Sequence, residues 1–443
     1  MNAPKPKLLE ITDKDRTPLV NNLMDVIAWQ DERIERLEKA ILEPKNEGTK
    51  LNTIKKEQSD TAPVLFSKPL KTLYIIALLA GIGVGTFNPL VSVFFEQHSV
   101  DTVLIGAIAS LFFLMIAIAA PLVERILRSS GIRRTMTIGF AITGISAIIF
   151  PLQNDIWLWF GIRLIMGIGS AFYMIAGQAA LNHYANDKNR AFINGIYGLT
   201  FGIGMGIGPI IGPILYSQAP FIAFAAGGLL LISGIAVVYW GIPKSTATLV
   251  HPSSGLLGRL KIPLAAVFAY GFAEAALLTM YPIYLMRLNF TTEQLGWSVG
   301  LFIIGGMFST LPFSHLGDRI GHTRILTLSV SLGIIGLILI LLSEDIAYKM
   351  GFSMVAGAGF GPVFVLALAL LGDILKKTDL PAGSALFTAV FSLGSTYGPW
   401  ISSLSLEHFG MQHVFTPTIS IFVLFILLTL VNQLCSKNSK PAT

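Results

Sequence analysis

From residue 72 onward the sequence is a series of apolar runs separated by short polar breaks. Each run has about the ~20 residues that a helix needs to cross a bilayer. Twelve are read: 72–96, 102–123, 135–152, 156–181, 191–216, 220–241, 262–287, 294–315, 325–343, 347–372, 382–404 and 414–435. Before them the pattern is polar, with Val20, Leu23, Ile27, Gln30, Ile34, Leu37 and Ile41 spaced alternately by three and four. That is the spacing of a coiled-coil seam or an amphipathic helix. Thr17-Pro18 would start this helix and Pro44 would end it, giving a helix over 18–43. It is expected to be solvated, to lie on the membrane, or to self-associate. Residues 45–67 read as a flexible linker.

The run from Gly195 to Pro213 carries more glycine than a soluble helix tolerates. In lipid, glycine and proline persist where a neighbouring helix packs on bare backbone or a kink is needed. The residues recur 190 positions later: Gly204, Gly208 and Pro209 become Gly394, Gly398 and Pro399. The same shift carries Gly161, Gly167 and Gly169 onto Gly351, Gly357 and Gly359, whereas Gly212 meets Ser402. A repeat of six helices preserves direction through the membrane, so its copies are parallel and related by an axis along the membrane normal. The expected fold is an all-α membrane protein of twelve transmembrane helices in two parallel six-helix bundles, 71–241 and 262–435. A polar extension (1–70), a linker (242–261) and a tail (436–443) complete it. Bundles joined this way can rock about a site between them, and helix 5 is expected to pack tightly at their interface.

Composition agrees: of 443 residues 53% are hydrophobic and 13% charged, with mean hydropathy +0.69. A soluble domain has nearer ~25% charged residues. The net charge of +6 belongs to loops rather than to one face, so it reads as topology and not as a nucleic-acid surface. Fifteen lysines and arginines lie in the loops after even-numbered helices and in the C-terminus, against Arg287 and Lys349 alone in the opposite loops. The positive-inside rule then places both termini in the cytoplasm. Trp157, Trp159, Trp240, Trp297 and Trp400 near helix ends fit an interfacial belt. With Cys435 as the single cysteine, no intrachain disulfide is expected. The first 60 residues lack a signal-peptide pattern, so the first membrane helix is expected to be its own insertion signal.

Two loops carry an acid beside an arginine, then a glycine and further bases. These are Glu124-Arg125 with Gly131, Arg133 and Arg134, and Asp318-Arg319 with Gly321 and Arg324. An acid there can accept from the N-terminus of a neighbouring helix, and arginines can pair across a bundle interface, in contacts that form in one state and break in the other. With these loops the chain resembles the major facilitator superfamily of transporters over residues 70–435. Arg163-Leu-Ile-Met-Gly167-Ile-Gly169-Ser-Ala171 is similar to that family's helix-4 motif. Gly195, Gly204, Gly208, Pro209 and Gly212 are similar to its helix-5 antiporter motif. The chain departs from the pattern with Glu124 for aspartate, four additional residues before Gly131, and Pro213 for glycine. Gly271-Phe-Ala-Glu274-Ala-Ala, Pro282 and Asp318-Arg319 resemble the YcaD-like branch.

Arg163 in helix 4 and Glu274 in helix 7 are ionisable groups inside predicted spans. Such groups cost on the order of 2.5–3.5 kcal/mol unless they face a partner or a cavity, and they mark function by default. Glu274 is a candidate for proton coupling or substrate contact. Arg163 cannot release its proton, so it would hold an anion or bias a nearby acid. Asn88-Pro89 interrupts helix 1 and Tyr281-Pro282 helix 7. The resemblance implies a cavity lined by helices 1, 4, 7 and 10, hence Asn88, Tyr173, Tyr270 and Tyr281 as candidate substrate contacts. Each reads equally well as a packing residue. His183 and His315 read as loop histidines. No metal-ligand cluster or cofactor motif is found, and the glycine runs lie inside apolar helices, which disfavours nucleotide binding. The expected function is secondary transport in a bacterial inner membrane, exporting a small molecule against proton entry. An importer or uniporter, or a transporter-like receptor acting through the N-terminal helix, are alternatives. No constellation of nucleophile, base and oxyanion donors suggests an enzyme.

Overall fold

The computed structural model describes residues 66–185, 190–245, 254–376 and 379–438. The helix expected over 18–43, and any self-association through it, lies outside the described residues. Twelve α-helices and no strand are found among them: α1 Lys68–Gln97, α2 Thr102–Ile118, α3 Ala120–Ile149, α4 Ile156–Tyr184, α5 Arg190–Gln218, α6 Pro220–Gly241, α7 Lys261–Arg287, α8 Thr292–Ile320, α9 His322–Leu342, α10 Ile346–Ile374, α11 Leu380–Phe409 and α12 Thr416–Asn438. Residues 68–184 and 196–438 form one compact unit; residues 66–67, 185 and 190–195, the last of which begin α5, fall outside it. Ten helices are long and apolar enough to cross a membrane. The others are α2, with 17 residues, and α11, whose 30 residues include Ser392, Ser395, Thr396, Ser402, Ser403 and Ser405.

The boundary between the second and third predicted helices moves. The expected loop 124–134 is helical up to Ser130, because helix 2 bends at Ala119-Pro121 and continues to Gly131. Gly131 has φ 80° and ψ 170°, and Gly321, its counterpart 190 residues on, has φ 102° between α8 and α9. Both take a backbone that a residue with a Cβ rarely adopts, so glycine ends the helix at the same place in each half.

The repeat is reproduced contact by contact. A methyl group on Gly204 would strike the carbonyl oxygen of Leu78, and one on Gly394 that of Phe268. Gly208 lies in the same way against Ile82 and Gly398 against Phe272, and Gly81 and Gly271 against Phe201 and Phe391. Thus α5 packs on α1, and α11 on α7, backbone to backbone. Helix α5 also reaches the second half, through other glycines. Gly202 and Gly206 face Met307, Ile303 and Ile304 of α8, while Gly204, Gly208 and Gly212 face α1. Residues two apart on a helix point to nearly opposite sides, which separates the two sets. Contacts between the halves obey the same shift: Gly106 of α2 meets Pro399 and Ser403 of α11, and Gly296 of α8 meets Pro209 and Pro213 of α5.

Helices α1 and α7 are the most deeply buried. The outer surface presents Leu229, Phe308, Leu311 and Leu424, each at least 60% exposed, as a chain immersed in lipid would. Lys349, one of the two basic residues on the sparsely charged side, is buried near the start of α10. Its Nζ donates to the Ile340 carbonyl (2.8 Å), in the last turn of α9, and to the Tyr284 hydroxyl (3.1 Å). In the first half Trp159 occupies the corresponding position and its Nε1 donates to the Phe150 carbonyl (3.2 Å), also nine residues back. Each residue caps a helix end that would otherwise leave a carbonyl unmet. Lys349→Met should therefore cost about 1–3 kcal/mol through the stranded carbonyl. Lys349→Trp, borrowing the sister residue, should recover part of that, as thermal unfolding in detergent would measure.

Candidate functional site

Two interior charges organise the buried polar groups. Arg163 is 1% exposed and lies seven residues into α4. Its Nη2 donates to Oδ1 of Asn88, the residue before the proline of α1, and its guanidinium stacks over Phe112 of α2 at 4.1 Å from the ring centroid. Gly167, one turn further along α4, permits this close approach: a Cβ there would meet the Phe112 carbonyl oxygen at 2.6 Å. Arg163 Nε and Nη1 and Asn88 Nδ2 are buried without a hydrogen-bond acceptor.

Glu274 is half-buried and stands thirteen residues from each end of α7. The Tyr270 hydroxyl, one turn earlier, donates to its Oε1 at 3.2 Å, while the Tyr270 ring packs on Phe364 and Phe391. No ion pair joins Arg163 and Glu274 among the described residues. Of the four expected cavity residues, Asn88 and Tyr270 each touch one of these charges. The other two are engaged within their own half: Tyr173 stacks on Phe140 (4.7 Å, 7°) and donates to Ser170. Tyr281 shares a 2.7 Å hydrogen bond with Ser353, which occupies in α10 the place of Arg163 in α4.

The two charged loops are less alike than their sequences suggest. Measured from the matching glycines, Glu124 is seven residues before Gly131 but Asp318 only three before Gly321, so the first acid sits one helical turn deeper. Glu124 pairs with Arg128, one turn on along its own helix. Arg133 lies 4.2 Å over the Tyr239 ring and reaches the Tyr239 carbonyl. Arg125, Arg134, Arg319 and Arg324 are exposed at this end. In the second half His322 stands between two carboxylates, with Nε2 3.2 Å from Asp318 and Nδ1 2.7 Å from Asp373. Sequence reading assigned His322 no role.

At the opposite end, Arg287 on the last turn of α7 grips Glu96 of α1 with both arms of its fork (2.7 and 3.2 Å) and donates to Thr102 Oγ1 at 2.7 Å. Ser217 of α5 donates to Glu293 of α8 at 3.1 Å, and the Tyr216 hydroxyl to Gln97. The Arg287 and Ser217 contacts clamp the two halves along one face, while Tyr216 and Gln97 tie α5 to α1 within the first half. Arg287 had counted only as an exception to the charge rule. The signal for its pairing was an acid at the end of helix 1 and a base at the end of helix 7, since the 190-residue shift places Arg287 on Gln97, beside Glu96.

An apolar exterior around internally repeated helices, with isolated charges inside, defines a multi-pass membrane protein. The sequence model of the Major Facilitator Superfamily matches the chain twice, over residues 73–262 and 263–442, and the chain belongs to that family. It is 26% identical over 354 residues to the uncharacterized MFS-type transporter YfkF of Bacillus subtilis, covering 77% of this chain and 90% of the relative. To the uncharacterized MFS-type transporter YcaD of Shigella flexneri it is 20% identical over 372 residues (83% and 96%), in keeping with the YcaD-like resemblance. Among solved structures, a bacterial homolog of the human lysosomal transporter Spinster superposes with a TM-score of 0.70 at 13% identity (84% of this chain, 98% of that one). The nucleoside transporter NupG gives a TM-score of 0.67 at 13% identity (82% and 98%). The protein is a membrane transporter of a small molecule and not an enzyme.

Proposed function

We propose that the protein is a proton-coupled secondary transporter that exports a small molecule by alternating access, with all twelve helices spanning a bacterial inner membrane and both termini in the cytoplasm. Glu274 carries this reading. A carboxyl group at the midpoint of a deeply buried helix, held by one tyrosine hydroxyl, has the chemistry of a proton site. It bears the proton as a neutral acid and releases it as a carboxylate, and the Tyr270 hydroxyl serves either form, because it can accept from the acid or donate to the anion. A proton enters from the face that is open, stays on Glu274 while that face closes, and leaves when the other opens. Bundles 71–241 and 262–435 would supply the motion, turning over the paired contacts of α2 with α11 and α5 with α8. Glu124, Arg125, Arg133, Arg134, Asp318, Arg319 and Arg324 would re-pair at the cytoplasmic face as it opens and closes.

The test uses proteoliposomes and a substrate found by an accumulation screen of a deletion strain. Flux should follow an imposed pH gradient in the wild type. In Glu274→Gln the gradient dependence should vanish while substrate exchange at equal pH persists. Equal wild-type flux with and without the gradient would remove the coupling from the proposal.

A further inference from the structure

We infer that the transported molecule is an organic anion, and that Arg163 and Asn88, beside Phe112, receive its carboxylate. This rests on the transport reading above and adds the substrate's charge to it.

Arg163 stays cationic at any physiological pH, and it is 1% exposed. Buried charges ordinarily meet an opposite charge. Three other charges show hydrogen bonds that serve them: Glu274 has the Tyr270 hydroxyl, Lys349 has the Ile340 carbonyl and Tyr284, and Glu96 has Arg287. Arg163 has a neutral amide oxygen and an aromatic face. Asn88 directs its one oxygen at Arg163, so Arg163 Nε and Nη1 and Asn88 Nδ2 present N–H groups and nothing else. A site made only of donors around a fixed positive charge accepts an anion and repels an amine. A hydroxyl or amide could meet some donors but would leave the charge uncompensated.

The shape of the site narrows the class. Phe112 lies against one side of the guanidinium, its ring centroid 4.1 Å from Cζ, so the ligand approaches the N–H groups left free, where a carboxylate matches the planar fork of the guanidinium. The Phe112 ring, with the Met115 side chain close to Gly167, makes the surroundings apolar, which suits an organic acid better than a small hydrated ion. The sister position holds Ser353, already bonded to Tyr281. The anion site is therefore built in the first half alone.

The test needs binding, not flux. Full-length protein in nanodiscs is unfolded thermally with benzoate, benzamide or benzylamine, three probes that differ in charge at one substituent. Benzoate should raise Tm in a dose-dependent way, with an apparent affinity at least ~10-fold above that of benzamide, as a charge-assisted pair implies. Benzylamine should have no effect. Arg163→Gln should abolish the benzoate response, and Arg163→Lys, which keeps the charge but loses the fork, should weaken it; the lysine variant serves if the glutamine variant does not fold. Gly198→Leu, whose added Cβ meets nothing within 4 Å, should keep it. An acid no better than its amide, or a benzoate response that survives either Arg163 substitution undiminished, would overturn the inference. Gradient-independent flux alongside a clear preference for the acid would instead sink the proton coupling and leave the anion site standing.

Discussion

Replacing Arg287 by alanine should open the face of the protein that Arg287 closes. The ion pair with Glu96 is partly buried, with side chains 28% and 14% exposed, so it lies between a surface pair and a fully buried one. Surface pairs contribute about 0–1 kcal/mol, whereas removing one partner of a buried pair costs about 3–5 kcal/mol. With Thr102 also losing its donor, a shift of about 1–3 kcal/mol against the clamped state is expected, roughly a factor of 5–150 in its population. Spin labels on the loops after α1 and α7 should report a longer distance in Arg287→Ala. The exchanged pair Glu96→Arg with Arg287→Glu should restore the short one. An unchanged distance distribution in the single variant would show that the ion pair does not hold the face shut.

The second large effect is expected at Gly208. A Cβ there would lie 2.6 Å from the Ile82 carbonyl oxygen and 2.7 Å from the Thr86 nitrogen, both backbone atoms of α1 that cannot turn aside. Gly208→Leu should lose about 3 kcal/mol or more, at or beyond the upper end of the usual overpacking range, with lowered expression and Tm. Gly398→Leu, facing the Phe272 backbone in the second half, should behave alike. Gly206→Leu is the informative contrast. Its neighbours are the side chains of Ile303, Ile304 and Met307, no closer than 3.7 Å to the added Cβ, so folding should survive. Transport should nevertheless slow, because the bulk enters the surface between the halves. Equal Tm losses for Gly206→Leu and Gly208→Leu would contradict the division of α5 into two faces. Gly198→Leu, with nothing within 4 Å of its Cβ, is the control.

The helices and the 190-residue repeat were legible because lipid imposes a simple pattern: apolar length marks a helix, and a repeated glycine marks a repeated close approach. Which helix a glycine approaches is a different matter. Gly204 and Gly206 look alike in sequence, but they point into different neighbours, and only the three-dimensional packing separates them. Arg163 and Glu274 were visible as charges in apolar runs. Their partners were partly so: Asn88 and Tyr270 emerged as polar residues on the expected helices, whereas Phe112 is one phenylalanine among 29. The charged ends were hardest to read, since a base in a loop satisfies the topology rule whatever else it does. Arg128 therefore went unread as a partner of Glu124, and Arg287 and His322 received no partner at all.

The paired contacts Gly106 with Pro399 and Gly296 with Pro209 have a mechanical consequence. Gly106 and Gly296 lie only four residues from the starts of α2 and α8, on the side of the Glu96–Arg287 clamp. A line through the two contacts would act as a fulcrum placed well off centre. On α8 the short arm, Thr292 to Gly296, is about 6 Å and the long arm, Gly296 to Ile320, about 36 Å, at 1.5 Å per residue. Turning about that line, a displacement of about 1 Å at the clamped end becomes roughly 6 Å at the other. The two mouths would then differ in stroke, a narrow slot above the clamp and a wide opening beyond Gly131 and Gly321.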